Sequence, residues 1–211
     1  MKFFVHLTNF FVYLFRFLKE SEENEHYSKT ISLLTGKMIK IRVMKNFDNA
    51  CFYGISPFGI IVISEEMTKR LYEDEVIAIL LHEVGHKSVL QGLFGIFWRL
   101  IYFGTPILNV MTKKNKKINF IIMGIIIFID TYLIAYLARV FENKSDDYAA
   151  SKGFGRHLAS ALIGLEKLYG VGVLNRYHDD LFSYHPNTYK RLQRLGCNPD
   201  EFDNKNYWEV S

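Results

Sequence analysis

Cysteine, proline and net charge are all scarce in this 211-residue chain: two Cys, four Pro, and a formal charge of +4 from 26 Lys and Arg against 22 Asp and Glu. Two cysteines, Cys51 and Cys197, are too few and too far apart for a disulfide scaffold or a Cys-based zinc ribbon. The near balance of charge, with no basic stripe interleaved with aromatics, gives no reason to expect a nucleic-acid partner. Internal repeats and low-complexity tracts are absent. What is present is apolar: 49% hydrophobic and 16% aromatic residues against 23% charged, which can build a core and excludes general disorder. The length fits one domain of ordinary size. The apolar residues fall in blocks, and that blockiness predicts membrane attachment.

The first block, Phe3 to Leu18, is aromatic-rich and interrupted by His6, Asn9 and Arg16. As a helix it reaches roughly 24 Å, short of a ~30 Å hydrocarbon core. No small-residue cleavage site follows, so the expectation is a retained, short or interfacial anchor over residues 1–20. A buried amphipathic helix of a soluble fold is the alternative. Residues 21–92 would form the first half of the domain. Tyr27, Ile31 and Leu34 share a helical face that Gly36 ends. Three β-like runs follow, Met38 to Met44, Asn49 to Gly54 and Gly59 to Ile63, separated by Asn, Asp, Gly and Pro. Ser64 can cap a brief helix to Leu71, and a stronger helix starts at Asp74. Residues 93–140 hold two apolar stretches, Leu93–Met111 and Ile118–Val140, joined by Lys113-Lys114-Asn115-Lys116-Lys117. They predict a membrane helical hairpin, with the second arm the clearer because Phe120 to Ile129 carries no charge. Residues 141–211 return to soluble character, with an amphipathic helix over Leu158–Leu168 and a basic one over Thr188–Leu195.

The chemistry is carried by His82-Glu83-Val84-Gly85-His86. On a helix, residues i and i+4 lie on one face with Cβ atoms ~5–6 Å apart, so both imidazoles can reach one zinc. Glu83 then stands beside the metal, placed to take a proton from a zinc-bound water. The alternative is a core helix with two satisfied histidines. A third protein ligand is needed, and Glu142, just past the second apolar stretch, is the best candidate. Asp146, one turn further on, can hold a ligand histidine through its other ring nitrogen. Asp147 points about 100° away on a helix and ranks lower. An ordinary charged helix start is the competing reading of this acidic stretch.

These residues resemble those of the HtpX-type integral-membrane zinc metallopeptidases, related to the CAAX prenyl endopeptidase and of the gluzincin type. The resemblance runs from about Asn49 to Leu195. Asn49-Ala50-Cys51-Phe52 is similar to the family's edge strand, with Cys51 a departure from it. Leu71 to Val76 leading into the His82–His86 motif is similar to the zinc helix. Glu142 with Asp146, Ala149 and Gly153 resembles the third-ligand helix, although Ser145 stands where Ala is usual. Tyr184-His185-Pro186 with Arg191 and Leu195 is like the late His-Pro segment. The resemblance implies an α+β, mainly helical zincin-like domain with a small β-sheet and a membrane helical hairpin. It implies one zinc per chain on His82, His86 and Glu142, with water as fourth ligand and Glu83 as general base. It further implies His185 as an oxyanion donor, Arg191 as an orienting partner of nearby acids, and residues Asn49, Ala50, Cys51 and Phe52 as the strand that binds substrate. His185 as a surface residue before a Pro-initiated helix is the competing reading.

The expected function is a membrane-bound zinc endopeptidase acting on misfolded or membrane proteins in quality control, with protein substrates and the lipid bilayer as partners. A catalytically silent zinc-binding scaffold and a processing peptidase with one dedicated substrate are the alternatives. Arg99 and Asp130 would lie at matching depth in a crossing hairpin, roughly 14–15 Å from its ends, and could pair. Sidedness is split. Four loop lysines favour a cytoplasmic loop, whereas the resemblance implies a cytoplasmic active site, which the two cysteines also favour. A shallow hairpin that never fully crosses reconciles the two. Substrate and oligomeric state stay open.

Overall fold

The computed structural model describes residues 19–53, 59–86, 116–169 and 185–199. The anchor at 3–18, the first apolar stretch with Arg99, and Tyr184 lie outside them. The described part is mostly helical with a small mixed sheet. Its strands are β1 (Ser21–Glu23), β2 (Lys40–Met44), β3 (Ala50–Tyr53) and β4 (Ile60–Ser64), in the order β1-β2-β4-β3. β2 runs parallel to β4, pairing Ile41 with Ile61, while β1 and β3 run antiparallel to β2 and β4. The helices are α1 (Glu25–Thr35), α2 (Glu65–Arg70), α3 (Glu73–Gly85), α4 (Lys116–Ser151), α5 (Gly155–Tyr169) and α6 (Thr188–Arg194).

Local chemistry sets these boundaries. The Asn24 side chain caps α1 by accepting from the Tyr27 N–H at 3.0 Å, and Gly36, at φ 67°, ends it. The buried side of α1 holds Tyr27 and Ile31, as the spacing predicts. Ser28 fastens this helix to β2, its hydroxyl oxygen accepting from the Ile41 N–H at 2.9 Å. Ser64 starts α2 by accepting from the N–H groups of Glu66 and Met67. The expected strand positions shift by one or two residues at their ends, while the helix expected over Leu158–Leu168 starts three residues earlier, at Gly155. β1 was not expected: three residues, two of them Glu, carry no readable alternation.

The metal-binding motif sits at the end of α3, the centre of the fold. Every residue from Glu75 to His82 is buried, so the helix is apolar on all sides rather than striped. The sheet covers one part of it through Ile41, Ile61 and Ile63, and α5 covers another through Leu158, Ala161 and Leu162. Glu75 is the exception in this apolar helix, and its two oxygens are both used. One accepts from the Tyr72 N–H at 3.0 Å, closing the first turn, and the other accepts from the Ser160 hydroxyl of α5. Sequence reasoning missed this clamp, although Glu three residues after the cap position is a capping-box signal.

α4 is one continuous helix of 36 residues, about 54 Å long. It passes without interruption from the apolar stretch into Glu142 and Asp146, so the boundary drawn at 140/141 falls inside a helix. Among the described residues, no helix is long and apolar enough to cross a membrane. Gly153, at φ 89°, lets the chain turn from α4 into α5. α6 then packs Leu192 against Ala159 and Ile163 of α5.

α3 and α4 come into close contact at Gly85. A Cβ there would lie 2.7 Å from the Ser145 Cα and 3.2 Å from its carbonyl oxygen, both backbone atoms that cannot rotate away. Gly85→Ala is therefore expected to destabilise the fold by about 1–3 kcal/mol through overpacking, set against roughly 1 kcal/mol gained in helix propensity. Because the obstacle is backbone, adding Ser145→Gly should not restore stability. Urea midpoints of the single and double variants decide this, and full rescue by Ser145→Gly would show that the Ser145 Cβ is the obstacle. Ser145 itself is fully buried with no hydrogen-bond partner for its hydroxyl oxygen.

Candidate metal centre

The close crossing of α3 and α4 brings together residues about sixty positions apart in sequence. His82 and His86, one turn apart on α3, face Glu142 on α4. The two Nε2 atoms are 3.0 Å apart; His86 Nε2 lies 3.0 Å from Glu142 Oε1 and His82 Nε2 lies 3.5 Å from Glu142 Oε2. These three residues form a group able to hold a metal ion, with one donor atom each within 4.8 Å of the others. Tetrahedral zinc with bonds of ~2.0–2.1 Å separates its ligand atoms by roughly 3.3 Å. The 3.0–3.5 Å spacings, measured to the two oxygens of Glu142, are of that order, and two imidazoles with one carboxylate are a donor set zinc accepts.

Behind the donors lies a buried ionic network. The Asp146 carboxylate is fully buried and accepts on both sides. Its Oδ1 is 2.8 Å from His82 Nδ1 and 2.7 Å from Arg191 Nη2, and its Oδ2 accepts from Arg191 Nε at 2.8 Å. The His82 contact keeps a proton on Nδ1 and turns Nε2 toward Glu142 and His86, the nitrogen a metal would take. Arg191, reaching in from α6, also lies 3.7 Å from Glu142. Arg194 makes a second, exposed fork with Asp147, which leaves Asp147 outside the centre.

Charge sharing decides the protonation of these groups. Burial alone would lower the His82 pKa, but the Asp146 and Glu142 carboxylates outweigh it and push it up to about 9. Burial would raise Glu142 and Asp146; hydrogen bonds from the histidines and Arg191 reverse the sign and hold both carboxyls below their usual range. Glu83 goes the other way. Its burial raises its pKa, against the partial opposition of His82 and His86, which leaves it a stronger base than an exposed glutamate.

The Phe52 N–H of β3 partly offsets the effect of burial on the Glu83 carboxyl. β3 is an edge of the sheet and pairs with β4 on one side. The Ser64 N–H donates to the Asn49 carbonyl at 2.9 Å, so the alternation of an antiparallel ladder turns Cys51 and Tyr53 toward β4. The backbone groups of Ala50 and Phe52 face outward, and the Ala50 N–H is taken by the Asn49 side chain at 2.9 Å. The Phe52 ring lies over Gly59, where a Cβ would come within 2.0 Å of it. His185 stands at the rim, largely exposed, its Nδ1 3.4 Å from Glu142 Oε2, and that carboxylate raises its pKa. The structure thus gathers His82, Glu83, His86, Glu142, Asp146, Arg191 and His185 around one point, with the Asn49–Phe52 strand alongside.

A His-Glu-x-x-His helix facing a glutamate from a second helix, beside a small sheet with an exposed edge, is the site of the metallopeptidase class. The chain belongs to peptidase family M48, whose model matches residues 22–197. It is similar to a CAAX prenyl protease 1 homolog of Arabidopsis thaliana, 24% identical over 84% of this chain and 48% of that protein. It is also similar to a protease HtpX homolog of Neisseria meningitidis, 22% identical over 65% of this chain and 57% of that protein. Among solved structures, that of S. mikatae Ste24p has the same fold, with a TM-score of 0.65 at 23% identity over 82% of this chain and 50% of that one. The chain spans about half the length of these relatives.

Proposed function

We propose that the protein is a membrane-bound zinc endopeptidase that hydrolyses misfolded or membrane proteins. The observation that carries the reading is the position of Glu83: a half-buried carboxylate beside the three metal donors and next to an edge strand. A scaffold that only holds metal has no use for an acid there. The relatives named as proteases point the same way.

His82, His86 and Glu142 would hold the zinc, which when bound polarises a peptide carbonyl and lowers the pKa of water toward ~7. The rest of the work falls to the chain. An extended substrate would add to the β3 edge at Ala50 and Phe52, drawing affinity from main-chain hydrogen bonds and selectivity from side-chain pockets. A substrate carbonyl bonded to the Phe52 N–H would be held next to Glu83. Glu83 takes the proton of the attacking water and passes it to the leaving amine. His185 donates to the negative charge that develops on the scissile oxygen. Asp146 keeps His82 in one tautomer and one orientation, and Arg191 keeps Asp146 ionised.

Membrane attachment is supported by the uncharged Phe120–Ile129 run and by exposed apolar side chains further along α4. Cys51 and Cys197 form no disulfide among the described residues, which suits an active site on the cytoplasmic face. The test is metal removal. Purified protein should cleave an unfolded protein such as reduced casein, lose that activity to a chelator, and regain it with one equivalent of zinc. Activity that survives complete removal of metal would overturn the proposal.

A further inference from the structure

One face of α4 has not been used. Ile125, Phe128, Ile129, Tyr132 and Tyr136 are 54, 61, 54, 41 and 49% exposed, and their three- and four-residue spacing sets them on one stripe. From Ile125 to Tyr136 the stripe rises about 16 Å, close to half of a ~30 Å hydrocarbon core. Its chemistry changes along the axis. Isoleucine and phenylalanine come first, then two tyrosines, the residues that favour the boundary between hydrocarbon and headgroups.

The next turn of the same face enters a groove of about 510 Å³ between α4 and α6. Tyr136, Arg139, Val140 and Asn143 line it from α4, and Lys190 and Arg194 line it from α6. Three lining residues are cationic and none is acidic; Asp147, just outside, forks to Arg194 and offsets that one charge. Asn143 adds a side-chain oxygen that is buried without a partner, an acceptor that a ligand hydroxyl would satisfy.

We propose that this groove binds the headgroup of an anionic phospholipid whose acyl chains lie along the α4 stripe. Apolar residues, then tyrosines, then a cationic groove reproduce the order of hydrocarbon, interface and phosphate in one leaflet. A free phosphate would use the groove and leave the stripe uncovered, whereas a phospholipid uses both. The bound leaflet fixes the height of α4, and therefore of Glu142, relative to the membrane surface. This rests on the membrane attachment proposed above.

The experiment is a lipid titration of the zinc-loaded protein in detergent micelles, read as thermal unfolding temperature. Phosphatidylglycerol should raise it, and neither phosphatidylcholine nor inorganic phosphate should match that rise. R139Q/K190Q should fold with the same zinc content and need roughly thirtyfold more phosphatidylglycerol for half the shift. K69Q/R70Q, which removes two charges from α2, should titrate like the wild type. An equal response to phosphatidylcholine or to inorganic phosphate would overturn the proposal. So would a wild-type response from R139Q/K190Q, or an equal loss in K69Q/R70Q. Alkaline extraction of native membranes separates the two claims. Release of the protein overturns membrane attachment and this proposal with it, whereas retention together with a flat titration overturns the groove alone.

Discussion

Glu83→Gln is expected to keep one zinc per chain while turnover falls about 10²–10⁴-fold, the usual contribution of a general acid–base group. The amide is nearly isosteric, so the packing around position 83 survives. It cannot take a proton, and that is the whole of the lesion. His86→Ala makes the contrast. It removes one of three donors from a set spaced at 3.0–3.5 Å and should lose metal and activity together. Metal analysis beside casein cleavage for the two variants reads this directly. Near-normal turnover by the zinc-loaded Glu83→Gln protein would remove Glu83 from the mechanism and leave the metal site a structural one. Because burial raises the Glu83 pKa, the wild-type rate should also fall as pH drops through a range above that of an exposed glutamate.

The parts of this centre that were legible in the sequence are those confined to one helix. His82 and His86 share a face by their spacing alone, and the same four-residue step places Asp146 behind Glu142. Joining the two helices is a tertiary fact. Glu142 could be nominated because it follows an apolar stretch, but nothing in its neighbours states that Gly85 lets α4 approach to backbone contact. His185 and Arg191 were reachable only through likeness to a family, since their distance from His82 in sequence carries no period. The sheet was half legible for a related reason. β2, β3 and β4 alternate or run apolar, whereas β1 is short, polar and held by its partner. The parallel pairing of β2 with β4 could not be read at all, because two strands on either side of a third leave no local trace of their register. Glu75 was hidden differently: a charge at the head of a helix looks solvated until Ser160 of α5 closes over it.

Asp146→Ala should cost more stability than any other single change in the centre, about 3–5 kcal/mol, because it strands the Arg191 guanidinium in the interior. Arg191 is 7% exposed, and the remaining carboxylate near it, Glu142, is 3.7 Å away and already shared among three histidines. For a chain of this size that loss lowers the unfolding temperature by roughly 6–20 °C. A second loss is independent of the first. Without Asp146 the His82 Nδ1 has no carboxylate to hold its proton, so the ring can turn or change tautomer, and zinc affinity should drop about 10–100-fold. The double variant Asp146→Leu with Arg191→Met separates the two effects. Removing both charges and filling the space should return most of the stability, since a buried ion pair contributes little against a packed apolar pair. It should return none of the zinc affinity, because the partner of His82 is still gone. Thermal unfolding and competitive zinc titration on the same samples make the comparison. Recovery of zinc affinity in the double variant would mean that Asp146 acts on the metal only through the integrity of the fold.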